Sequence, residues 1–204
     1  MINNHICDAI LNYGPRDLLM AHMLQTANFM ASPLNILQVG AIEDLSLKFR
    51  HGSGWSDIFF ASYISMFGGK LTVVDINQSH LDNSEKVLSE FNAEYSLVLS
   101  DAVDVIKENN SSYDVIYLDG SNHPEETRDQ YNAIDKDSTA VIMIDDLSIK
   151  GTLVEFDKRY SGQVYNSTHE GVYLGINSDA LNKLRHGHPE THVLLNKLWN
   201  EKIL

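Results

Sequence analysis

Residues 113–126 read YDVIYLDGSNHPEE, and the fold turns on what Val115-Ile116-Tyr117-Leu118 is. A short apolar run rich in β-branched and aromatic residues, closed by the turn dipeptide Asp119-Gly120, is the pattern of a buried strand. The strand delivers a carboxylate at its tip, and His123 follows four residues later. Pro124 then opens a helical stretch over 124–134, with Glu125 and Glu126 in the first turn, where the helix dipole favours acids.

The same strand–helix unit recurs on either side. Strands are expected at Asn35–Val39, Lys70–Val74, Tyr95–Leu99 and Ala140–Ile144, and helices at 6–13, 16–31, 56–67, 79–92, 102–109 and 150–160. Pro15 suits the start of the second helix, and Ser56 or Asp57 the cap of the third. Residues 162–167 and 171–176 read as a closing hairpin around Thr168–Glu170, followed by a helix after Pro189. Repeated alternation of this length implies an α/β fold, a doubly wound sheet with helices on both faces.

The 204 residues suit one domain, and 43% hydrophobic content is that of an ordinary globular protein. A net charge of −13 disfavours nucleic acid or an anionic membrane surface as partner, since both would repel the average surface. A single cysteine, Cys7, forms no intramolecular disulfide, and no run approaches the ~20 apolar residues of a membrane helix. A cytoplasmic protein is the simplest expectation, and nothing in the pattern specifies or forbids a homo-oligomer.

Ligands of an open parallel sheet bind beyond the carboxyl ends of its strands. Gly40, Asp75, Ser100-Asp101, Asp119 and Asp145-Asp146 all fall there, which concentrates carboxylates on one rim. Asp75, ending VVDIN, is placed to accept hydrogen bonds from both hydroxyls of a cofactor ribose; its plainer role is to begin a turn or cap the next helix. The first strand exits through Gly40-Ala41-Ile42, without the GxGxxG of a pyrophosphate cradle, and Gly52-Ser53-Gly54 ends a long loop where backbone can approach a ligand. Asp119, Asp145 and Asp146 would together offer hard oxygen donors to Mg²⁺ or Ca²⁺, and without a cation they would repel one another. The plainer reading has Asp146 or Ser148 capping the following helix. His123 is a candidate general base from its ordinary pKa, or simply a surface loop residue.

From about Asn35 to Ile176 the chain resembles the class I S-adenosylmethionine-dependent methyltransferases. The likeness rests on NILQVGA, LTVVDIN, LVLSDAVDVI and YDVIYLDG, and on EGVYLGI, which resembles the antiparallel seventh strand that ends that fold. LDG at 118–120 with IMIDD at 142–146 is similar to the catechol and sugar O-methyltransferase-like branch, in which the corresponding acids bind Mg²⁺.

The resemblance implies a Rossmann-like sheet, mostly parallel with an antiparallel C-terminal strand, in one domain spanning 1–204: N-terminal helices over 1–34, a cofactor-binding core over 35–176 and a helical segment over 177–204. It implies S-adenosylmethionine as cofactor, contacted by Gly40, Ala41, Gly54, Ser56, Asp75, Ile76, Asp101, Ala102 and Asp119. Mg²⁺ would sit on Asp119, Asp145 and Asp146, with Asp119 at the chemistry; the resemblance carries over no base, and only its own chemistry nominates His123 as the catalytic base. Three positions depart from the family pattern: Gln38 stands where the first motif carries an acid, Ile42 where it carries a second glycine, and Asn122 where the catechol type carries a catalytic lysine.

The expected activity is methyl transfer to a hydroxyl of a small molecule, assisted by Mg²⁺. Methyl transfer is an in-line displacement, so the protein mainly aligns the reactants and excludes water, while the metal would lower the pKa of the acceptor hydroxyl. Two alternatives stay open: a methyltransferase without metal, and a degenerate domain that binds the cofactor or a partner without catalysis.

Overall fold

A computed structural model describes residues 15–28, 30–45, 55–109, 112–135, 137–155, 160–166 and 171–177. The expected helices at 6–13 and after Pro189, and Gly54, lie outside them. In chain order the elements are α1 (Pro15–Asn28), β1 (Leu34–Val39), α2 (Ser56–Phe67), β2 (Gly69–Asp75), α3 (Gln78–Leu88), β3 (Tyr95–Leu99), α4 (Ala102–Glu108), β4 (Val115–Leu118), α5 (Pro124–Ala133), β5 (Val141–Ile144), α6 (Leu147–Lys150), β6 (Tyr160–Asn166) and β7 (Gly171–Asn177).

The strands form one sheet in the order β3-β2-β1-β4-β5-β7-β6. Val115–Leu118 is fully buried and lies between β1 and β5, pairing Ile36 with Val115 on one side and Val115 with Val141 on the other. Side chains alternate between two cores, as the period of a strand requires. Ile36, Val115, Tyr117, Val141 and Met143 pack with α1, α2 and α3 through Met23, Phe60 and Leu81. Leu37, Ile116, Leu118, Ile142 and Ile144 face α4 and α5 through Ile106 and Tyr131. Central strands buried on both faces explain why β4 and β5 read as unbroken apolar runs.

The expected sheet, mostly parallel with an antiparallel C-terminal strand, takes a correction. All five strands β1 to β5 are parallel, and the C-terminal strand is not the edge of the sheet. Instead β7 lies inside, antiparallel to β5, and β6 pairs antiparallel to β7 at the edge, so β6 runs in the same sense as the parallel five. The hairpin enters the sheet by its second strand. A four-residue connection between β6 and β7 forces that pair to be antiparallel, whereas parallel neighbours need a crossover.

The expected helix at 150–160 is also shorter and earlier. It is the single turn Leu147–Lys150, stopped at Gly151, whose N–H bonds back to the Leu147 carbonyl.

Candidate functional site

Strand order reverses between β1 and β4: the chain leaves β1 toward β2 on one side and returns to β4 on the other. A crevice must open beyond such a switch point. A cleft of about 180 Å³ lies there, bordered by Gly40, Asp75, Ile76, Asp101, Ala102, Gly120 and Ser121, with Glu126, Asp129 and Gln130 from α5. Four carboxylates line it, and none of its lining residues is Lys or Arg.

The floor of the cleft is made by glycines. Gly40 adopts φ +97°, and a Cβ there would lie 2.7 Å from the Cα of Gly120. No other residue allows β1 and β4 to approach so closely while the backbone turns away.

Asp75 ends β2 at the rim. Its Oδ2 accepts from the Ala41 N–H at 2.9 Å and sits 3.2 Å from His80 Nδ1, while Oδ1 accepts from the Asn77 N–H at 2.8 Å. A carboxylate has about four acceptor positions, so Asp75 both shapes the β1 exit and retains capacity for a ligand hydroxyl. Ile76, next to it, is 77% exposed and gives the cleft an apolar lip. Asp101 caps α4 through Oδ1, which accepts from the Val103 N–H at 2.7 Å. An acid-lined cleft with an apolar lip and a rim carboxylate fits a cationic adenosine derivative such as S-adenosylmethionine; a pyrophosphate would meet charges of its own sign.

Ala41 and Ser56 face a second, buried layer under the β1 exit. Gln38 shares a face with Ile36, so its side chain points at the start of α2. Its Nε2 lies 2.9 Å from both the Gly40 carbonyl and Ser56 Oγ, and hydrogen-bonds Asp57 Oδ1. Ser84 Oγ accepts from the Ile42 N–H at 3.0 Å. Gln38 and Asp57 are completely buried, and Gln38 Oε1 and Asp57 Oδ2 have no partner among the described residues. Burial pushes the Asp57 carboxyl up to about 8, against hydrogen bonds from Ser84 and Gln38 that lower it. Below about 8 the uncharged, protonated form of this carboxyl is therefore favoured. Neither Ser56 nor Asp57 caps α2, whose N-cap position is Trp55.

At the tips of β4 and β5 the three aspartates do come together, but around a side chain that the sequence reading passed over. Lys150, 3% exposed, places Nζ against Asp119 Oδ1 and 2.8 Å from Asp146 Oδ2. Asp145 Oδ2 accepts from the Tyr117 hydroxyl at 2.8 Å, and its Oδ1 from the Asp146 N–H at 3.0 Å. Burial alone would lower the Lys150 pKa, yet Asp119 and Asp146 outweigh it and hold the ammonium above the ordinary lysine value.

These residues do not fit the expected Mg²⁺. The ion needs oxygens at about 2.1 Å with room for water, and the Asp119 and Asp146 oxygens are turned onto an ammonium instead. Among the described residues no group of three or more His, Cys, Asp or Glu side chains is arranged to hold a metal. Helix capping does not explain Asp146 either: it occupies the N-cap position of α6 with φ +48° and makes no side-chain cap bond.

His123 is exposed at the N-cap position of α5, where its N–H donates to Ser121 Oγ at 3.0 Å. It does not border the cleft, although Gly120 and Ser121 do. Of the residues missed, Lys150 carried one local signal, its position four residues after Asp146 in a helical stretch. Asp57 carried none beyond its place at a helix start.

No protein-family model and no curated protein sequence matches this chain. Solved structures do match in shape. SAH-bound methyltransferase PaMTH1 of Podospora anserina superposes with a TM-score of 0.55 at 11% identity, over 81% of this chain and 80% of that one. A proposed rRNA methylase from Clostridium thermocellum gives 0.55 at 12% identity over 78% and 94%. A proposed O-methyltransferase from Klebsiella pneumoniae gives 0.52 at 13% identity over 86% and 96%. At these identities the likeness is one of fold: the chain has the Rossmann-like architecture of class I S-adenosylmethionine methyltransferases.

Proposed function

We propose that the chain binds S-adenosylmethionine in the cleft between the tips of β1 and β4 and directs methyl transfer to a hydroxyl of a small molecule, without a divalent metal. The observation that carries this is the acid-lined cleft at the switch point of a methyltransferase fold, with Asp75 on its rim. Its charge suits a sulfonium and an ammonium; NAD, with two phosphates, would be repelled.

In this reading Asp75 accepts from the ribose, Ile76 and Ala102 border the adenine, and Gly40 and Ala41 present backbone to the methionine end. Bound there, the cofactor supplies a methyl group made electrophilic by its sulfonium. Asp119, at the junction of the cleft floor and the aspartate cluster, marks where cofactor and acceptor meet. His123 is the candidate base, close in sequence to Gly120 and Ser121, which border the cleft. A domain that binds the cofactor without turnover is the competing reading, and product formation separates the two.

Calorimetry with S-adenosylmethionine and with its demethylated product tests the proposal. Both should bind, NAD should not, and Asp75→Asn should weaken binding at least tenfold, since charge-assisted hydrogen bonds contribute about 1.5–3 kcal/mol. Unchanged affinity in that variant removes Asp75 from the site; preference for NAD overturns the reading.

A further inference from the structure

We propose that Lys150 is the resident cation of the strand-tip cluster: its ammonium joins Asp119 at the end of β4 to Asp146 after β5 and takes the place of a divalent ion. Three carboxylates from two adjacent strands converge there, a convergence that calls for a positive charge. The chain supplies that charge itself. The ammonium is all but excluded from solvent, and it is bonded to carboxylates 31 and four residues away in sequence. Asp145, the third acid, is held by the Tyr117 hydroxyl and the Asp146 N–H, so the charge of each acid is met by a donor. Asp146 accepts a left-handed backbone, which costs a non-glycine residue free energy, in the conformation that turns its carboxylate to Lys150.

The assignment deepens the proposed function. A bound metal offers an acceptor open coordination positions and so favours catechols and vicinal diols, which chelate. An ammonium cannot be chelated. Of its three N–H donors two are committed to Asp119 and Asp146, so a vicinal diol gains no advantage here over a single hydroxyl. Only this consequence rests on the methyl-transfer reading; the ammonium's place in the cluster does not.

Thermal melts of the full chain, without cofactor, in EDTA and in millimolar Mg²⁺ or Mn²⁺, test the assignment. The parent should melt at the same temperature in all three. Lys150→Met, which keeps the apolar stem, should melt several degrees lower in EDTA, because two partly buried carboxylates lose the ammonium that compensates them. Adding Asp119→Asn to Lys150→Met should restore part of the loss, since one of the repelling charges is gone. A parent whose melting temperature rises with either metal overturns the proposal. So does a Lys150→Met variant as stable as the parent, or a double variant no more stable than the single one. If neither variant folds, the ¹⁵N signal of the Lys150 ammonium in the parent decides. A slowly exchanging NH₃⁺ indifferent to Mg²⁺ supports the assignment, and a signal that is absent or shifts with Mg²⁺ sinks it. Loss of S-adenosylmethionine binding in the separate calorimetry would leave these outcomes untouched.

Discussion

Asp57 shows how a single buried residue couples this site to pH. Burial pushes its carboxyl up to about 8 in the folded chain, against 3.8 for an ordinary aspartate. Between those values the native state holds a proton that the unfolded chain releases, so stability falls as pH rises. The contribution is full below about 4 and is lost as pH rises through about 8, with a slope of up to about 1.4 kcal/mol per pH unit. Urea titrations from pH 5 to pH 9 should therefore show the midpoint falling. In Asp57→Asn the side chain no longer titrates, and this part of the slope should vanish. A parent slope that survives unchanged in the variant would assign the pH dependence to other groups. The same pair gives Gln38 a physical role: a second carboxylate at that position would have no donor to offer Asp57.

At the level of elements, the junction of β1 and β4 is decided by contact between two backbones. Gly40→Ala would force φ +97° on a residue with a Cβ and drive that carbon to 2.7 Å from Gly120 Cα. Strain of this kind costs on the order of 1–3 kcal/mol, and the displaced strand tips would distort the cleft that both glycines border. Gly40→Ala should thus lower the urea midpoint and weaken S-adenosylmethionine binding together. Full stability in that variant would contradict the close packing described. Serine or alanine at Gly68, where the nearest atom to a new Cβ is 3.8 Å away, makes a useful control for the effect of positive φ without the clash.

For the molecule as a whole, the β6–β7 hairpin guards an edge. The described pairing of β5 has β4 on one side and β7 on the other, and all four β5 residues are buried. Ending the chain at Glu155 would leave Val141–Ile144 as a bare apolar edge, the kind that pairs with a second copy. Light scattering coupled to size exclusion should show the truncated chain associating or aggregating relative to the full one. A monodisperse product with the parent's size per chain and melting temperature would mean that the hairpin is dispensable. No described helix is long and apolar enough to cross a membrane.

The strands were legible because their patterns are local. Val115–Leu118 and Tyr95–Leu99 match the expected bounds, and Asn35–Val39 differs by one residue from β1. In the central β1 and β4, burial on both faces leaves an apolar run that needs no partner to be read. Turn chemistry placed Asp75, Asp101 and Asp119 at strand tips for the same reason. What no local pattern contains is which tip lies beside which, and what charge stands between them. Lys150 reads as an ordinary last-turn lysine of a helix, and Asp57 as a helix-start acid. Their partners Asp119 and Gln38 are 31 and 19 residues away and reach them only through the order of the sheet. A carboxylate cluster in sequence is equally a metal site and an ion pair. Among the described residues the choice falls to the Lys150 ammonium, which the fold buries and brings within hydrogen-bond reach, because burial removes the solvent that would otherwise screen either charge.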